Sequence, residues 1–174
     1  MVRIPFRPRR RRRSSGLSSL LLALGLAGGA WVLFGPGGRS FEGRAHVVDG
    51  DTIRIGDERL RLKGIDAPEM HQTCARSGRT YSCGESARNA LIGMILNRQV
   101  QCRASGRDRY RRPLASCTAN GQDLNARMVE EGWAVAYDRS YRAQEARARS
   151  RGAGLWAGTF ERPQDWRREN APAQ

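Results

Sequence analysis

At 174 residues the chain has room for one domain of ordinary size plus short extensions, which excludes a large multidomain architecture. Its formal charge of +14 is unevenly spread: residues 1–40 hold eight of the 31 basic residues and none of the 17 acidic ones. The remainder sets 23 basic residues against 17 acidic ones, and Lys63 is the only lysine in the chain. An arginine-rich, moderately basic domain suits a phosphate-bearing partner, because guanidinium offers paired donors, although a GC-rich genome would also enrich arginine.

The amino terminus, "RIPFRPRRRRRSSG", places seven arginines in the first thirteen residues, and Leu17–Phe34 carries no charge. About 18 apolar or small residues is the lower limit for a membrane-spanning helix, and the arginines before it would stay cytoplasmic. The small residues Ala27–Ala30 leave open a cleaved signal peptide, and the arginines alone a nucleic-acid-binding arm. The length of the apolar run favours an uncleaved anchor. The expected organisation is an arginine-rich cytoplasmic segment (1–13), a transmembrane anchor or signal peptide (14–34), a Gly/Pro linker (35–42), a folded domain (43–160) and a polar tail (161–174). The domain is then anchored in the inner membrane facing the periplasm, or secreted if the anchor is cleaved.

In the domain, "RAHVV", "TIRI" and "RLRLKGI" are short runs of β-formers, with Gly56-Asp57 a turn between the last two. "GESARNALIGMIL" has helical apolar spacing and Glu85 in its first turn. "RQVQCRA" and "RPLASCTA" flank the polar segment "SGRDRYRR" as a hairpin. A second helix, "DLNARMVEEG", begins at a candidate cap, Asp123, and ends at Gly132. "WAVAY" reads as a last strand and "SYRAQEARARSRGAGLW" as a third helix, with Trp166 a possible anchor in the tail. The order predicts an α+β fold: a five-stranded Greek-key barrel of the OB type with three helices, preceded by the transmembrane helix.

The four cysteines, Cys74, Cys83, Cys102 and Cys117, lie in the exported part, where disulfides persist. They allow three pairings. The preferred one joins Cys74 to Cys83 and Cys102 to Cys117, the latter because the two are equidistant from the hairpin centre and so face each other. Closing that loop of about 15 residues is worth roughly 3 kcal/mol on the chain-entropy model. A zinc site using His71 has no Cys-x-x-Cys spacing behind it.

"HVVDGDTIRIGDERLRLKGIDAPEM" gathers six acids among β-formers. Asp57 and Glu58 belong to a turn. Asp49 and Asp51 sit at one strand edge, Asp66 and Glu69 at another, and the turn brings the edges together. Adjacent carboxylates repel unless a hard cation lies between them, and oxygen ligands suit calcium or magnesium. Arg61, in the intervening strand, would hold a phosphate bridged by that cation. Glu69, fixed by Pro68, would accept a proton from water. Such a set suits phosphoryl chemistry.

Three motifs, Asp49-Gly50-Asp51-Thr52, Arg61 to Glu69 (R-x-x-x-x-D-x-P-E) and Asp108 to Ala115 (D-x-Y-x-R-x-L-A), together resemble the staphylococcal nuclease (thermonuclease) family. The likeness runs from about Arg44 to Trp156. It implies an OB-fold, calcium-dependent phosphodiesterase, an endonuclease-type hydrolase acting on DNA and RNA and leaving 3′-phosphate ends. It implies that Asp51, Asp66 and the backbone carbonyl of Ala67 bind Ca²⁺, with Asp49 ordering metal-bound water. Glu69 is then the general base, Arg61 and Arg112 hold the phosphate, and Tyr110 and Tyr137 line the nucleotide pocket. Ala67 stands where the type enzyme has threonine, and Arg111 replaces a glycine before the catalytic arginine. The cysteine-bearing stretch "MHQTCARSGRTYSCGE" after Glu69 is also a departure. A monomer without protein partners is expected. The alternatives are a non-catalytic OB-fold binding module for nucleic acid or protein, tethered to the membrane, or a membrane-tethered assembly factor.

Overall fold

A computed structural model of the chain describes residues 38–170. The arginine-rich segment and the transmembrane or signal segment expected at 1–34 lie outside the described residues. Among the described residues, no helix is long and apolar enough to cross a membrane.

Among the described residues, seven strands share one sheet. β1 (Ser40–Gly43), β8 (Val100–Arg107), β9 (Pro113–Ala119), β4 (Glu58–Leu62), β3 (Thr52–Ile55) and β2 (Ala45–Asp49) are hydrogen-bonded in that order, with β10 (Gln122–Asp123) added to β9. Two small ribbons complete the strands, β5 (Ile65–Asp66) with β11 (Val135–Ala136) and β6 (Thr73–Arg76) with β7 (Arg79–Ser82). Among the described residues four helices follow the same numbering: α1 (Cys83–Ile95), α2 (Leu124–Glu130), α3 (Arg142–Ser150) and α4 (Pro163–Glu169).

The α+β class stands, but the detail differs from the five-stranded barrel with three helices. Among the described residues the sheet path is open, with β1 and β2 at its ends and no pairing between them. β1 falls where a linker was expected; "SFEG" has no strand pattern of its own and forms by pairing with β8, Phe41 opposite Cys102. The predicted third helix breaks after Ser150, where Gly152 and Gly154 adopt φ of 59° and 56°, and resumes as a single 3-10 turn, Gly154–Ala157. The polar tail contains α4. Pro163 opens that helix, where its missing N–H costs nothing, Asp165 lies in the first turn, and Arg167 and Arg168 lie in the last.

Alternation sets the sheet's inner face. Val100, Cys102 and Ala104 of β8 point inward, as do Ala115, Cys117 and Ala119 of β9. Against them pack Ile53, Leu60, Leu62 and Ile65, and the helical residues Leu91, Leu124, Met128 and Val129. Burying each large aliphatic side chain contributes about 1.5–3 kcal/mol. Cys102 and Cys117 are register partners and form a disulfide, and Cys74 and Cys83 form the second, as the preferred pairing expects.

One buried amide ties the parts together. Asn125 of α2 donates from Nδ2 to the carbonyls of Lys63, at 2.9 Å, and Ala115, at 3.0 Å, and its Oδ1 accepts from Cys117 N–H at 3.1 Å. It thus joins the helix to the parallel junction of β4 and β9, where Arg61 sits opposite Leu114. Asp123 caps α2, its side chain accepting from Ala126 N–H at 3.0 Å.

Candidate active site

The strand register places the acids. Thr52 lies opposite Arg61 across β3 and β4, and Leu62 N–H donates to the Asp51 carbonyl at 2.8 Å, so Asp51 abuts the Arg61 side chain. The Asp49 side chain accepts from Asp51 N–H at 3.0 Å, shaping the turn between β2 and β3. Gly50 has to lack a side chain: an added Cβ would fall 2.7 Å from the Ala67 Cβ and 2.8 Å from the Ala87 Cβ. Asp66 is fixed from the other side by pairing with Val135.

Arg61 spans both carboxylates. Its Nη1 donates to Asp51 Oδ1 at 2.6 Å and its Nη2 to Asp66 Oδ1 at 2.8 Å. Asp51 and Asp66 are 3% and 1% exposed, so solvent does little to screen them. Asp51 also accepts from Thr52 Oγ1 at 3.1 Å and, through Oδ2, from Ala67 N–H at 3.0 Å. Burial pushes its carboxyl up to about 7, against the pull of Arg61, with Asp49 and Asp66 adding to the rise. Arg61 stays charged: its two carboxylate partners outweigh the burial that opposes them.

Glu69 completes the group through a residue that the sequence reading missed. Arg167 of α4 donates from Nη1 to Glu69 Oε1 at 2.8 Å and to Asp66 Oδ1 at 3.0 Å, and from Nη2 to Asp66 Oδ2 at 2.9 Å. Gln72, also missed, is fully buried: its Oε1 accepts from Glu69 N–H at 3.2 Å, and its Nε2 donates to the Glu161 carbonyl at 2.7 Å. Helix signals at Pro163, Asp165 and Arg167 could have revealed α4. Nothing local marks Gln72.

The structure brings Asp51, Arg61, Asp66 and Glu69 into one network, with Asp49 and Ala67 hydrogen-bonded to it through Asp51. Arg112 pairs with other residues: its Nε donates to Asp108 Oδ2 at 2.6 Å, and its guanidinium lies 5.4 Å from the centre of the Tyr110 ring. The Asp108 side chain also accepts from the N–H groups of Tyr110 and Arg112, which shapes the tip of the β8–β9 hairpin. Arg111 there adopts φ of 65°, a left-handed conformation that favours glycine. Tyr110 and Tyr137 are 64% and 62% exposed, and the Arg109 guanidinium also lies over the Tyr110 ring, 4.7 Å from its centre.

Among the described residues, no three His, Cys, Asp or Glu side chains converge on one point as a metal cage. A hard cation fits the donor set nonetheless. Two buried carboxylates lie within one guanidinium's span, sulfur and imidazole take no part, and burial keeps Asp51 from ionising at its ordinary value despite Arg61. Such a cation would complete its shell with carbonyl, water or phosphate oxygens.

The staphylococcal nuclease homologue family model matches residues 59–158. A succinoglycan biosynthesis protein, ExoI, of Rhizobium meliloti is 40% identical over 121 residues, which cover 66% of this chain and 63% of that protein. An uncharacterised endonuclease of Haemophilus influenzae is 32% identical over 134 residues, covering 71% and 70%. Protein ParB of Escherichia coli is 35% identical over 145 residues, covering 71% and 77%. The matched segment thus spans just under two thirds of the first of these relatives and somewhat more of the other two. With the family model covering more than half of the chain, and with Asp51, Arg61, Asp66 and Glu69 gathered in one network, the chain belongs to the staphylococcal nuclease homologue family.

Proposed function

We propose that the chain is a nuclease, a calcium-dependent phosphodiesterase that hydrolyses DNA and RNA and leaves 3′-phosphate ends. Family membership and relatives named as endonucleases support nuclease chemistry. The observation that carries the reading is the Arg61 fork across two buried carboxylates with Glu69 tied to the same group. Nothing in that arrangement is needed for binding alone, and burying two acids together would weaken a fold that made no use of them.

Calcium held by Asp51, Asp66 and the Ala67 carbonyl would supply Lewis-acid stabilisation of the phosphate oxygens. Glu69 takes a proton from the attacking water, whose oxygen forms the new bond to phosphorus. The bond to the 5′-oxygen breaks, and that oxygen takes up a proton as it leaves. Arg61 balances the charge that develops on the phosphate oxygens. Arg112 does the same once substrate is bound, since pairing with Asp108 uses its Nε and not its Nη donors. Tyr110 and Tyr137 stack on bases without choosing among them, which suits a sequence-tolerant enzyme.

The two disulfides support export to an oxidising compartment, with residues 14–34 as the anchor or signal. The test is cleavage of single-stranded DNA and RNA by the full chain, in calcium and in chelator, with the product ends identified. Calcium-dependent cleavage leaving 3′-phosphates is the expected result. Binding without cleavage under both conditions would instead make the chain a nucleic-acid-binding module.

A further inference from the structure

Arg167 stands beyond the segment that the family model matches, yet it touches the centre of the site. Its position depends on the cysteine ribbon that follows Glu69. Ala75 of β6 exchanges backbone hydrogen bonds with Thr159, N–H to carbonyl at 3.0 Å and 2.9 Å, and the Cys74–Cys83 disulfide pins β6 to the start of α1. Gly158 allows the close approach, since a Cβ there would fall 2.1 Å from the Ala75 carbonyl oxygen. Gln72 adds a further tie, to Glu161, immediately before α4. The ribbon and the C-terminal extension are therefore one device, and its product is the placement of Arg167.

The lone-pair inventory shows what that placement does. Arg61 engages only the Oδ1 atoms of Asp51 and Asp66, and Asp51 Oδ2 accepts from Ala67 N–H at 3.0 Å, so Arg61 leaves acceptor capacity on both carboxylates. Asp51 and Asp66 would be the residues that hold a hard cation, through carboxylate oxygens. Arg167 occupies Asp66 Oδ2 and the second position on Oδ1, and with the same Nη1 engages Glu69. Those contacts keep its guanidinium charged, although burial opposes it. A divalent cation on Asp66 Oδ2 would face that positive charge at close range through one shared oxygen.

We propose that Arg167 is a resident counter-ion of Asp66 and Glu69, which calcium must displace to occupy the site. Calcium and the guanidinium compete for the same oxygens. The displaced Arg167 then stands beside the reaction centre as a further partner for the phosphodiester, so nucleic acid assists metal entry. The inference rests on the reading of Asp51 and Asp66 as cation ligands.

The experiment is calcium titration calorimetry on the full chain, freed of metal and without nucleic acid. Arg167→Gln and Arg167→Met are compared with the wild type; both remove the charge, and Met keeps the aliphatic stem. Each folded variant should bind calcium more tightly, by about tenfold, within the range usual for coupled ligands. Unchanged or weaker affinity in the folded variants, with the wild type binding, overturns the counter-ion role alone. If neither wild type nor variants bind calcium, the cation reading fails and takes the inference with it.

Discussion

Glu69 and Arg167 meet at 2.8 Å across 98 residues of chain, and the residue that sets their meeting is Gln72. Its buried amide holds the Glu69 backbone with one end and the Glu161 carbonyl with the other. Gln72→Leu, close in volume, leaves the part-buried Glu69 N–H and Glu161 carbonyl without these partners. It should cost about 1–3 kcal/mol in a urea melt and reduce kcat, because Glu69 loses its fixed backbone.

The pH dependence of stability should carry the signature of Asp51. Its folded-state value is raised from 3.8 to about 7 by burial, so the folded form holds a proton that the unfolded chain has released. The stability linked to this group is fully present below 3.8 and is lost as pH rises through about 7. Thermal melts in chelator should therefore show Tm falling between these values, and Asp51→Asn should flatten that fall. A wild-type profile unchanged by the substitution would place the pH sensitivity elsewhere.

Asn125→Ala removes three hydrogen bonds from the junction of α2, β4 and β9. The Lys63 carbonyl and Cys117 N–H lose their side-chain partner, while the Ala115 carbonyl keeps Lys63 N–H at 2.8 Å, which predicts a loss of about 2–4 kcal/mol by chemical denaturation. Activity per folded molecule should change little.

At the hairpin tip, Arg111→Gly relieves a left-handed backbone in a bulky residue. Unfolded-state entropy offsets part of the relief, so the expected gain is at most about 1 kcal/mol. The neighbouring Tyr110→Ala should raise KM for single-stranded DNA roughly fivefold or more, from one lost stacking contact, with kcat nearly unchanged.

What the sequence reveals and what it hides follow from the range of each interaction. Asp49, Asp51, Asp66 and Glu69 stand out because local strand patterns and one turn are enough to bring their segments together, with Asp51 and Asp66 on Arg61. Cys102 and Cys117 are legible for the same reason, the symmetry of a hairpin. β1 is hidden because its strand character comes from β8, about sixty residues away in sequence. Arg167 is hidden more deeply. Its helix carries readable end signals, but its target is fixed by Ala75–Thr159 pairing and by Gln72, which have no local signature. The open sheet departs from the expected barrel because closure depends on pairing between end strands, and no run of residues encodes that pairing by itself.

The central claim is that Glu69 activates water for attack on a phosphodiester beside the Asp51–Arg61–Asp66 cluster. Its most direct test is the cleavage rate of single-stranded DNA by Glu69→Gln against wild type, in calcium, with matched melting curves. The account predicts a fall of about 10²–10⁴-fold in kcat, the usual contribution of a general base, with the fold intact. A folded Glu69→Gln variant that cleaves at the wild-type rate would contradict it.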